Sequence, residues 1–144
     1  MYYYINKAYL NFLNYMHHKD ERFYYLSLIK ENDSYSIHGL WPQNTLHDYP
    51  TYCKNLDFDL DKLNPIMNSL KTKWYSKKTS NEDFWKHEYL KHGSCVFSSM
   101  SELEYFSKTL ELYDYVINNN IIDNYDKKLN QILIPFDLEF KYKK

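Results

Sequence analysis

The chain has 144 residues, a formal net charge of −1 and 19% aromatic residues, with 17 tyrosines among them. That length suits one compact domain over residues 1–144, large enough to bury a real core. A charge this close to neutral excludes binding by wholesale neutralisation of nucleic-acid phosphates, so any RNA contact must be local. No window approaches the ~20 apolar residues of a membrane span.

Residues 3–16 are expected to form a short aromatic helix, followed by a polar break at His17–Asp20. The opening residues lack a basic stretch leading into an apolar run, so no secretory signal is expected. Phe23–Ile29 is a run of β-formers and predicts a buried strand. A turn cluster follows at Glu31–Ser34. Tyr35–His38 predicts a second strand ending at Gly39, and Pro42 to Lys54 is expected to be loop. Leu60, Leu63, Met67 and Leu70 carry helical spacing up to Trp74, with Pro65 limiting the start. Ser80 or Asn81 is placed to cap a helix from Glu82 to His92. Ser101–Asn118 is the clearest amphipathic helix, with Leu103, Phe106, Leu110 and Tyr113 on one face. Ile132–Tyr142 alternates in part and predicts a last strand. Strands mixed with helices, without a βαβ rhythm, predict an α+β fold.

Average usage would give a chain of this length about ten glycines; it has two, and each directly follows a histidine, in His38-Gly39 and His92-Gly93. A turn glycine and a helix-ending glycine would account for each singly, but not for both histidines. Glycine is kept where the backbone needs positive φ or close approach. Cys53 and Cys95 can be a buried thiol pair, half a metal site or one disulfide.

Around the second glycine runs Phe84-Trp-Lys-His-Glu-Tyr-Leu-Lys-His-Gly-Ser-Cys95. On a helix with His87 at 0°, Lys91 falls at about 40°, Glu88 at about 100° and His92 at about 140°. Four ionisable groups thus share an arc, while Tyr89 and Leu90 face the other way. A solvated helix face is the bland alternative, but it has no need of Phe84 and Trp85 beside it. His-Glu also opens the zinc-protease pattern, which requires a second histidine four residues on. Lys91 stands there and the histidine comes one later, so that geometry fails and no metal is expected.

The chemistry that fits is phosphoryl transfer without a cofactor. Two histidines divide the roles of base and acid, and a lysine gives fixed positive charge for a crowded phosphorus intermediate. RNA suits such a site because its 2′-hydroxyl is a built-in nucleophile.

Tyr35-Ser-Ile-His-Gly-Leu-Trp-Pro-Gln43 resembles the first active-site motif of the ribonuclease T2 family, and Phe84–Cys95 resembles its second. The resemblance extends to Phe23–Ile29 as a core strand, to Trp74 between the motifs and to Tyr105-Phe106 in the following helix. It implies an α+β fold with a central antiparallel sheet packed with several helices. It also implies a metal-independent endoribonuclease on single-stranded RNA, working as a monomer. On it, His92 would be the base for the 2′-hydroxyl and His38 the acid for the leaving 5′-oxygen. Glu88 and Lys91 would stabilise the pentacovalent intermediate, His87 would hold the phosphate, and Trp41 and Phe84 would wall the bases. Cys53 and Cys95 match a disulfide of the family, which implies a secreted, endolysosomal or other oxidising compartment. The stretch before the first motif is compressed to residues 30–34, where the family has more chain and a further cysteine pair. The rival expectation is a catalytically weak module of the same frame that only binds RNA or a protein.

Overall fold

The computed structural model describes residues 20–144, so the helix expected over residues 3–16, His17 and His18 lie outside the described residues. Two long strands, β1 (Phe23–Glu31) and β2 (Ser34–Gln43), form an antiparallel hairpin. Its turn uses Asn32 at φ 53°, a left-handed conformation that asparagine tolerates better than most residues. A seven-residue 3-10 helical stretch, Leu60–Ile66, accommodates Pro65 and leads into α1 (Met67–Lys73). α2 (Asn81–Lys91) and α3 (Glu102–Asn118) follow, and the chain returns as β3 (Gln131–Phe136). The sheet order is β2-β1-β3, antiparallel throughout. Among the described residues no helix is long and apolar enough to cross a membrane.

One face of the sheet packs on the helices. Leu26, Leu28, Ile37, Leu40, Ile132 and Ile134 meet Trp74, Trp85, Tyr89, Tyr105 and Phe106 in a single cluster. The α3 stripe is anchored at both ends by phenols. Tyr105 Oη donates to the Leu40 carbonyl at 2.8 Å and Tyr113 Oη to the Tyr35 carbonyl at 2.7 Å. The helix caps follow the local sequence: Ser80 accepts from the Asp83 N–H and Ser101 from the Glu104 N–H, each at 3.1 Å. Such caps satisfy amides that have no partner within the helix.

Two expectations need correction. β2 does not end at Gly39 but runs on through Trp41 and Pro42 to Gln43. The reason is a bulge: Ser27 pairs with Gly39 and Leu28 with Ile37, leaving His38 as the extra residue. Strict alternation would send Ile37 and Leu40, three positions apart, to opposite faces. The bulge lets both reach the core at 0% exposure. The last strand, expected to reach Tyr142, ends at Phe136, and Tyr142 returns only as an isolated bridge to Phe136.

Candidate active site

His38 and Trp41, from β2, meet Glu88, Lys91 and His92, from the last turn of α2, across one cleft of about 400 Å³. A second cleft of about 540 Å³ opens beside it; Phe84 and the loop before α2 wall it. His38, His87 and Glu88 line both clefts. All seven residues expected to act on substrate therefore border one or both of two adjoining clefts.

The bulge at His38 is held from behind by tryptophans. Trp74 Nε1–H donates to the His38 carbonyl at 2.9 Å, and Trp85 Nε1–H donates to the Trp74 carbonyl at 2.6 Å. The bulged peptide thus has a partner inside the core. Trp41 stands between the two histidines of the motifs. Its ring is edge-on to His38, with centroids 4.9 Å apart, and stacked on His92 at 5.1 Å. Its Nε1–H donates to Glu88 Oε1 at 2.8 Å. Expected to wall a base, Trp41 also positions both histidines and the carboxyl.

Gly39 explains itself here through close approach and not through backbone conformation, since neither glycine has positive φ. A Cβ on Gly39 would run into Glu88 Oε1 and stand 2.6 Å from Trp41 Nε1. A Cβ on Gly93 would stand 2.6 Å from the ring of Tyr89.

The helical arc placed Glu88 beside His92. The carboxyl instead lies 4.0 Å from His38 Nε2 and 3.9 Å from His87 Nε2. His92 is the residue after the last helical one, with φ −108°, and its ring stacks on Trp41. Burial, then Lys91, His38 and His87, lower the His92 pKa from 6.5 to about 3. Its Nδ1 is buried with no hydrogen-bond partner among the described residues, so protonation would leave an unpaired N–H. Burial also lowers His38 below 6.5, helped by His87, Lys91 and Lys78. Glu88 moves the other way. With its side chain 2% exposed, burial raises its pKa from 4.5 to about 7, against the opposing pull of the Trp41 hydrogen bond and Lys91.

Cys53 and Cys95 are joined by a disulfide. The same loop is tied to the end of α2 by the Tyr52 N–H on the Lys91 carbonyl at 2.8 Å and the Cys53 N–H on Ser94 Oγ at 2.9 Å. The bridge and these two bonds hold the turn that carries Lys91 and His92.

Sequence reasoning missed part of the cleft wall. Tyr25, Gln43, Tyr49 and Leu133 line the first cleft, as does His47, which lies outside both motifs. They come from three strands and a loop, and only their pairing across the sheet brings them together. Tyr25 opposite Trp41 in the hairpin register is the one signal that a correct strand pairing would have offered.

The profile of the Ribonuclease T2 family matches residues 9–131. Ribonuclease DdI of Dictyostelium discoideum is 35% identical over 86 residues, 58% of this chain and 39% of that protein. Ribonuclease T2-A of Mus musculus is 33% identical over 103 residues, 67% of this chain and 38% of that protein. The chain thus spans under half the length of these curated relatives. Ribonuclease MC1 from the seeds of bitter gourd, a solved structure, superposes with a TM-score of 0.66 at 18% identity. That match covers 84% of this chain and 92% of the other and speaks to the fold. With the family profile matching most of its length and the same fold beneath it, the chain belongs to the ribonuclease T2 family.

Proposed function

We propose that the chain is an endoribonuclease that cleaves single-stranded RNA by transphosphorylation, without a metal. The observation that carries this reading is the pair His38 and His92, set on either side of Trp41 around one cleft and both shifted to acidic pKa values. In the first step His92 takes the proton of the 2′-hydroxyl, whose oxygen bonds to phosphorus. The bond from phosphorus to the 5′-oxygen breaks, and His38 gives that oxygen its proton. A 2′,3′-cyclic phosphate results. In the second step water adds to it with the roles reversed: His38 takes the water proton, His92 returns one to the 2′-oxygen, and a 3′-phosphate remains.

Lys91 and His87 line the cleft where the phosphate must sit and offer it N–H donors. Glu88, with its pKa raised to about 7, carries a proton at mildly acidic pH. It can then donate to a phosphate oxygen where an ionised carboxylate would repel it. Phe84 lies 5.7 Å from His38, on the side where the leaving nucleoside departs, and Trp41 lies on the side of the retained one. Aromatic walls of this kind suit unstacked single-strand bases.

The pH dependence follows in sign. His38 must be protonated and His92 neutral. Because His38 titrates below 6.5 and His92 near 3, the rate should be bell-shaped with its maximum on the acid side, its limbs belonging to the coupled pair. Single-stranded RNA incubated in EDTA should be cut, faster at pH 5 than at pH 7. His38→Ala and His92→Ala should each cost about 10²–10⁴-fold, without adding. Loss of cleavage in EDTA, restored by Zn²⁺ or Mg²⁺, would overturn the mechanism. Binding of RNA without cleavage would favour the binding-module alternative.

A further inference from the structure

The second cleft has a basic rim that the reaction above does not use. Loop residues 75–80, between α1 and α2, form it, and they are tied down internally. The Ser76 N–H donates to Asn81 Oδ1 at 2.8 Å, and the Thr79 N–H to Ser76 Oγ at 3.0 Å. Lys77 and Lys78 stand exposed on this loop and line the cleft. They are not equivalent. Lys77 lies 3.2 Å from a Glu31 carboxylate oxygen, whose other oxygen accepts from the Tyr75 hydroxyl. Lys78 forms no ion pair among the described residues, and its charge reaches His38, where it helps to lower the imidazole pKa. Asp83 also lines this cleft, so the rim is not uniformly basic, and Lys78 is the cation left free for an outside anion.

The acid and base assignment gives this rim a direction. His92 lines only the first cleft while His38 borders both, so if His92 takes the 2′-hydroxyl proton and His38 protonates the departing 5′-oxygen, the leaving nucleoside lies in the second cleft, walled by Phe84. The RNA strand then continues from its 3′-oxygen towards loop 75–80. We propose that Lys78 binds the phosphate on the 3′ side of the leaving nucleoside, one step downstream of the bond that breaks. The site would then act on oligonucleotides that carry this phosphate in preference to a bare dinucleoside monophosphate. The inference rests on the proposed function, because it takes its polarity from the roles of His38 and His92.

Three substrates of the same two bases test it: the dinucleoside monophosphate, its 3′-phosphorylated form and its 5′-phosphorylated form. The readout is the ratio of kcat/KM for each phosphorylated form to that of the bare dinucleotide, so that any effect on the chemical step cancels. A 3′-phosphate should raise kcat/KM about fivefold at low salt, in the range of one exposed ion pair, and the gain should shrink as salt screens it. Lys78→Gln should bring this ratio close to one, while Lys54→Gln, the same charge change on a loop away from the cleft, should keep it. A ratio near one in the unaltered protein, or an equal fall in both variants, would overturn the role of Lys78 while leaving the ribonuclease reading intact. A gain from the 5′-phosphate that Lys78→Gln removes would overturn the polarity and reverse the histidine roles. No cleavage of any of the three would overturn both proposals.

Discussion

Glu88 is enclosed by Trp41, His38 and His87, and its carboxyl takes a proton near pH 7 instead of 4.5. The unfolded chain releases that proton at about 4.5. Between these values the folded state holds a proton that the unfolded state has lost, so stability falls as pH rises through the window. His92 has the opposite sign. The unfolded imidazole takes up its proton near 6.5, whereas the folded ring resists until about 3, so stability falls as pH drops from 6.5 to 3. From 4.5 to 6.5 the two slopes offset each other. Glu88→Gln removes one of them and leaves the other visible. Urea midpoints of that variant should rise with pH from 3 to 6.5 and then level off. At pH 8 its unfolding free energy should exceed that of the unaltered protein by on the order of 2–3 kcal/mol. Parallel profiles for the two proteins would show that burial of Glu88 does not control its titration.

At the scale of elements, the feature that builds the site is the bulge in β2. It delivers Ile37 and Leu40 to the core and leaves His38 facing the cleft. Gly39 is the residue that lets β2 pass so close to α2. Gly39→Ala would press a methyl group on Glu88 and Trp41. We expect about 1–3 kcal/mol of lost stability and, because His38 and Glu88 shift together, a loss of about 10²-fold in RNA cleavage. A thermal melt and a cleavage assay on the same sample read both, and full activity would mean that the strand moves aside without disturbing the carboxyl. This element also marks where sequence reading stopped. His38, Trp41, Phe84 and the ionisable arc of α2 were legible because a motif keeps them within a few residues of one another. The termination assigned at Gly39 was wrong because glycine next to a turn-prone run reads the same whether it ends a strand or fits beneath a helix. The partner of Glu88 was misplaced because a helical wheel describes only one helix, while His38 arrives from a strand. Tyr25, Gln43 and Leu133 were invisible because their nearness is made by the sheet.

For the whole molecule, the Cys53–Cys95 bridge joins positions 42 apart in sequence and clamps a long irregular loop to the end of α2. In the chain-entropy account, closing such a loop stabilises the fold by roughly 3–4 kcal/mol. Dithiothreitol, or the pair Cys53→Ser and Cys95→Ser, should lower the urea midpoint accordingly. Activity should fall too, because the backbone of Lys91 is held from that loop by the Tyr52 amide. Unchanged midpoints on reduction would show that the two hydrogen bonds suffice.

The strand order has a consequence for synthesis. β1 is the central strand, yet its second neighbour arrives late: Ser27 and Gln131, hydrogen-bonded in the finished sheet, are 104 residues apart. At a translation rate of roughly 5–20 residues per second, one edge of the Phe23–Ile29 run stays open for about 5–20 seconds on each growing chain. A bare apolar edge is a template for pairing with another chain. Asp20, Glu21 and Arg22 before the run and Lys30 and Glu31 after it bracket the strand with charged residues, where gatekeeper residues discourage two nascent copies from pairing edge to edge.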